Sequence, residues 1–279
     1  MAFANFIPEI WSARLLEHLD KTHVYANLMN RDYEGEIKAY GDTVHINQIG
    51  DITISSYTGE DIAAPEELDS TQTDLVIDQA RSFNFQIKDL DNAQSNPKLM
   101  DAAMQRASYG INDAVDAYLA DLLASGAKNT IGSNTTPIVP TSADAYDYLV
   151  DLGVALTEAN VPTIGRWVVV PAWYHGLLLK DERFVGSGTD FNAAILQNGL
   201  VGAAAGFQVY ISNNVPVTSS KNYKVLAGTA AAGSYAEQLV EMEAYRRESN
   251  FADAVKGLHV CGAKVVQPSA LAMLVCSKS

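Results

Sequence analysis

The chain has 279 residues, 48% of them hydrophobic, and its 33 Asp and Glu outnumber 19 Lys and Arg to give a formal net charge of −14. That length holds one large domain or two ordinary ones with real cores. The acid excess, with its bases scattered, argues against a dedicated nucleic-acid binder, which needs clustered cations to neutralise phosphates.

The start, MAFANFIPEIW, lacks the basic segment and apolar run of a secretory signal. No stretch of 18 apolar residues follows anywhere, so no membrane-spanning helix is expected. Pro8 to Lys21 reads as a short helix, with Pro8 in the first turn and Ile10, Leu15, Leu16 and Leu19 as its apolar stripe. An irregular segment then leads to GDTVHINQIGDITISSYTGED (41–61), where Val44, Ile46, Ile52 and Ile54 share even positions and hence one face of an extended chain. In DLVIDQARSFNFQIKD (74–89) Leu75, Ile77, Phe83, Phe85 and Ile87 are all odd. Together these predict two strands of about 15 residues each, in a ribbon about 50 Å long. Such a ribbon cannot cover its own apolar face, so Val44, Ile46, Ile52, Ile54, Leu75, Ile77, Phe83 and Phe85 are expected to meet a neighbouring chain. The tip, TGEDIAAPEELDSTQ, is rich in turn formers and acids; between Ala39 and Ala80 there are nine Asp or Glu and no Lys or Arg. This is either a solvated loop or a surface complemented by bases on another chain, with Glu60, Asp61, Glu66, Glu67 and Asp69 as the candidate contacts.

The longest helix is predicted from Pro97 to Ser125, capped by Asn96 and stopped by Gly126, with Met100, Met104, Ala107, Ile111, Val115, Tyr118 and Leu122 as its stripe. A polar linker precedes a compact α/β pattern centred on residues 140–235: helix 142–160, strand 166–171, helix 172–184, a short helix at FNAAILQNG, and strands within 200–217 and 222–229. The tail reads as strands broken by a turn at ESNFADAVKG, the last 40 or so residues returning beside the long helix. Cys261 and Cys276 lie in apolar runs and read as buried free thiols, with a disulfide between them less favoured.

Chemistry is sparse. No dinucleotide or phosphate-binding glycine loop, HExxH, GxSxG or EF-hand pattern occurs, and the five histidines are dispersed. No catalytic, cofactor-binding or metal-binding residue is therefore assigned. An α/β hydrolase or transferase centred on 140–235 is the competing class, and it lacks a nucleophile–base set.

The ordered set of FIPEIWSARLLEHLDKTHVYANLMNRDYEG, YGDTVHI, the long helix, the α/β unit and FADAVKGLHVCGAKVVQPSALAML resembles the major capsid proteins of tailed bacteriophages, across essentially the whole chain. The resemblance implies an α+β phage major capsid fold of the Hong Kong ninety-seven type. Residues 1–35 would be an N-terminal arm, 36–90 an extended β-hairpin loop, 91–139 a peripheral domain built on the spine helix, 140–235 an axial domain and 236–279 the return to the peripheral domain. It implies a structural subunit, not an enzyme, that self-assembles into hexamers and pentamers of an icosahedral head around double-stranded DNA, its extended loop lying over a neighbour. An encapsulin-type nanocompartment shell is the alternative. Implied partners are the chain itself, a portal, separate scaffolding or decoration proteins, and non-specifically contacted DNA, with no cofactor and no membrane. The implied location is the virion, after synthesis in the host cytoplasm. Some relatives crosslink a loop lysine to a neighbour's asparagine; here Lys38 and Lys88 lie at the ribbon's base, so no such bond is expected from the tip.

Overall fold

A computed structural model describes residues 24–33, 40–49, 54, 70–88, 99–181, 202–219, 221–246 and 252–278. The predicted helix at 8–21, the acidic tip with Glu60, Asp61, Glu66, Glu67 and Asp69, the position of Ile52, the Asn96 cap and the helix at 191–199 lie outside these residues.

Two sheets and one long helix organise the rest. The larger sheet takes its core from apolar runs that bury both faces. Strand β5 (Trp167–Val170) is WVVV with every residue buried, as a central strand covered on both sides should be. The strand order is β4 (Asn129–Ile131), β12 (Leu271–Ser277), β9 (Asn222–Gly228), β5, β7 (Phe207–Ile211), β6 (Ala203–Ala204), with β8 (Val217–Thr218) paired to β9. Helix α2 (Ala145–Glu158) lays Leu149, Leu152 and Leu156, all fully buried, against this sheet. The short helix α3 (Ala172–Leu178) follows β5 and buries Tyr174, whose hydroxyl donates to the Ala145 carbonyl at 2.8 Å.

Helix α1 (Leu99–Gly126) is about 42 Å long. It ends where a side chain would collide: a Cβ on Gly126 would lie 2.6 Å from Val265 Cγ2. Leu119 and Leu123 are fully buried, whereas Tyr118 and Leu122, the last two residues of the predicted stripe, are only half-buried. The helix touches β3 (Gln79–Lys88) and β11 (Ala252–Val265) of the smaller sheet and β9 and β12 of the larger, which widens its buried arc beyond a single stripe.

The smaller sheet pairs β10 (Gly233–Arg246) with β11 (Ala252–Val265), and β11 with β3 (Gln79–Lys88), all antiparallel. One expectation is corrected here. Residues 252–257, read as part of a turn, are strand, stabilised by the Phe83 ring standing over Gly257 opposite it. The closing segment divides between the two sheets: β11 lies beside α1 in the smaller one, and β12, which also touches α1, pairs with β4 and β9 in the larger.

The ribbon is corrected as well. Strand β1 (Thr43–Ile49) pairs with β2 (Ser70–Val76), from Thr43 opposite Val76 to Ile49 opposite Ser70. At Ile77–Asp78 the chain leaves this ribbon and enters the smaller sheet as β3. Odd-position parity runs unbroken through both strands, so Leu75 and Ile77 share it with Phe83 and Phe85 but not a ribbon. Phe83 and Phe85 stack at 6.1 Å and pack instead against the main core.

Candidate assembly surfaces

The first surface to locate is the apolar ribbon face. Val44, Ile46, Leu75 and Ile77 are 5%, 4%, 0% and 0% exposed, in one cluster with Ala236 and Val260. The chain's own C-terminal hairpin covers them, so these four do not wait for a neighbour. The approach is close enough to require glycine: a Cβ on Gly262 would sit 2.4 Å from the Val76 carbonyl oxygen and 2.9 Å from Ile77 Cα. Ile54, farther along the ribbon, is 94% exposed. Of the eight apolar contacts predicted, four are thus internal, Phe83 and Phe85 are half-buried in the subunit, Ile54 faces solvent, and Ile52 lies outside the described residues.

The segment from Val24 to Tyr33 is fixed to the body by two carboxylates that the sequence reading did not single out. Asp116, buried on α1, accepts the amides of Val24 at 2.9 Å and Tyr25 at 3.2 Å, at the start of a single 3₁₀ turn (Ala26–Leu28). Glu237 on β10 accepts from Arg31 Nη2 at 2.6 Å, the Tyr235 hydroxyl at 2.7 Å and His259 Nε2 at 3.0 Å. The carboxylate can only accept, so His259 carries its proton on Nε2. Its Nδ1 has no partner among the described residues. Burial, then the Glu237 charge, holds the Tyr235 phenol well above its ordinary range. This is a structural clasp, in which donors from three parts of the chain converge on the Glu237 carboxylate.

The two cysteines are free and buried. Burial pushes the Cys276 thiol up to about 12, and burial followed by Glu237 does the same for Cys261. Both stay protonated at pH 8, with roughly a thousandfold less thiolate than a free cysteine. A thiol reagent is expected to leave the folded chain unlabelled while labelling the urea-unfolded chain at both positions. Rapid native labelling would show that these strands open.

On the outer ribbon face His45 lies 2.7 Å from Asp74 across the strands, and the hydrogen bonds from His45 and then Gln72 hold the Asp74 carboxyl below its usual range. Among the described residues no group of three His, Cys, Asp or Glu could hold a metal ion. The remaining conspicuous surface is on α2, where Val150 and Val154 are 40% and 49% exposed one turn apart.

This fold is that of viral shell subunits. The chain aligns with the structure of Mycobacterium phage Che8 at 30% identity over 91% of each chain, with a TM-score of 0.75. It shares its fold with the capsid of cyanophage P-SCSP1u at 15% identity, covering 92% of this chain and 89% of that one, TM-score 0.72. It does so too with the virus-like particle from Pyrococcus furiosus at 12% identity, covering 94% and 96%, TM-score 0.58. No curated protein matches it in sequence. The sequence model of the phage capsid protein family matches residues 71–274, and the chain belongs to that family.

Proposed function

We propose that this chain is the coat subunit of an icosahedral phage head, assembling as hexamers and pentamers into a shell around double-stranded DNA, with a structural and not a catalytic role. The observation that carries the reading is the family match across 71–274, which spans β2 through β12. That match to phage capsid proteins favours a head over the nanocompartment alternative. The acidic balance suits a container whose lining must not hold its genome. A portal and separate scaffolding or decoration proteins would complete the particle. In this reading residues 1–35 are the arm, 140–235 the axial domain, and 91–139 with the 236–265 hairpin the peripheral domain; the overlapping loop is the ribbon to Ile77, and β3 belongs with the hairpin. Electron microscopy of the purified protein tests it: closed shells are expected, and a chain that stays monomeric at high concentration under every condition would overturn it.

The contacts to a neighbour then fall on Ile52, Ile54, Glu60, Asp61, Glu66, Glu67 and Asp69, beyond the part of the ribbon the hairpin covers. Among candidate bases, Lys256 already pairs with Glu243 at 2.6 Å and Lys264 acts on Asp74 of its own ribbon, whereas Arg106 is exposed on α1. Exposed pairs are worth only about 0.2–1 kcal/mol each, but a shell repeats them at every contact. Reversing Glu66 and Glu67 to lysine is expected to weaken assembly more at low salt than at high salt; equal losses at both would remove the electrostatic account.

A further inference from the structure

We infer that the outward face of α2 and the turn between β8 and β9 are the two halves of one contact between copies of this chain, the acid-flanked valines of one subunit receiving the lysine-bearing turn of the next. The inference rests on the coat-subunit reading above. Its starting point is an apolar face that the subunit leaves unused. Helix α2 buries its leucines completely, yet Val150 and Val154 stand 40% and 49% exposed on its other side, and Ile164, in the turn after the helix, is 89% exposed. Single exposed apolar residues need no explanation, but two lining one groove, with a third in the turn that follows, do.

The groove is prebuilt. It has a volume of about 380 Å³ and is bordered by Val150, Val154, Thr157, Arg166 and Ala205. Arg166 is only 6% exposed. Its Nε donates to the Pro162 carbonyl at 2.9 Å, Nη1 to the Gly153 carbonyl at 3.1 Å and Thr157 Oγ1 at 3.0 Å, and Nη2 to the Val161 carbonyl at 2.7 Å. A guanidinium spent on the carbonyls at the helix's C-terminal end fixes that wall in place. Along the rim Asp151 and Glu158 are exposed and make no ion pair among the described residues.

The complementary chemistry sits on the same chain. Val217 is 44% exposed on β8 and Lys221 is exposed in the turn after it, with no ion pair among the described residues, whereas Lys224, next to Val217's cross-strand partner Tyr223, faces the other side of the sheet. These groups cannot reach α2's groove within one subunit. Strand β9 runs from Asn222, next to Lys221, to Gly228, which pairs with Trp167, next to Arg166. The two patches therefore lie at opposite ends of the sheet, about 20 Å apart. An acidic apolar patch at one end and a basic apolar patch at the other make a head-to-tail contact, the kind that closes into a ring when the rotation permits. Opposite signs at opposite ends are what commit the occupant to a second copy.

The test uses the full chain and three variants: Asp151→Lys with Glu158→Lys, Lys221→Glu, and all three together. Circular dichroism reports folding and sedimentation velocity reports rings and shells. Each reversed patch is expected to cut the assembled fraction roughly tenfold at low ionic strength, and the threefold variant to recover it. Val154→Asn, which makes a half-exposed side chain polar without adding a charge, is expected to give a folded subunit that does not assemble, testing the apolar half independently of charge. Reversed patches or a Val154→Asn chain that assemble like the parent would overturn the inference and leave the coat reading intact. Loss without recovery in the threefold variant would show that the patches do not face each other. A parent chain that never assembles would overturn the coat reading itself.

Discussion

Leu75→Ala is expected to destabilise the unassembled subunit by about 2–5 kcal/mol, while Ile54→Ala changes it by no more than about 0.5 kcal/mol. Both residues have the parity of an apolar face in the sequence, but their surroundings differ. Leu75 is 0% exposed and clustered with Val44, Ile77, Ala236 and Val260; Ile54 is 94% exposed. Truncating the first leaves a void between ribbon and hairpin that the sheet can only partly close, because the backbones already touch at Gly262. Truncating the second removes atoms that meet only water within the subunit. Urea unfolding of the two variants beside the parent, followed by circular dichroism, separates them. Equal, small losses would mean that the hairpin does not cover the ribbon's base.

The same pair of residues shows what the sequence could and could not reveal. Period-two alternation located Val44, Ile46, Leu75 and Ile77 correctly as one extended face, because alternation is a local property of a strand. It could not reveal what covers that face. The covering residues, Ala236 and Val260, lie more than 150 positions away, and nothing local distinguishes a neighbour's surface from the chain's own hairpin. The exchange of partners at Ile77–Asp78 was hidden for a related reason: a strand that leaves one sheet for another keeps its parity, so Leu75, Ile77, Phe83 and Phe85 read as one row. WVVV and the stop at Gly126 were legible because burial on both faces and helix termination each leave a local mark. The Glu237 clasp was not, although a signal existed. Glu237 stands next to buried Tyr235 and Ala236 on β10, a position where a carboxylate persists only if donors converge on it, and its donor Arg31 lies 206 positions away.

Replacing Gly50–Asp69 with an Asn-Gly turn is expected to leave a soluble, cooperatively folded subunit that no longer closes into shells. The pairing makes this cut clean. Ile49 stands opposite Ser70, so a two-residue turn joins β1 to β2 without shifting the register that buries Val44, Ile46 and Leu75. Losing a loop of roughly 20 residues also lowers the entropy of closing the ribbon, which favours the folded state by about 1–2 kcal/mol. What the deletion removes is Ile52, Ile54 and the acids Asp51, Glu60, Asp61, Glu66, Glu67 and Asp69; Ile54, the one of these the structure describes, is exposed and outside the hairpin's apolar cluster. If these side chains are satisfied on a neighbour, their loss is felt by assembly and hardly by folding. Circular dichroism melting and sedimentation of the shortened chain beside the parent decide it. Intact shells from the shortened chain would exclude this stretch as the assembly element, and an unfolded aggregate would place it in the subunit's own core.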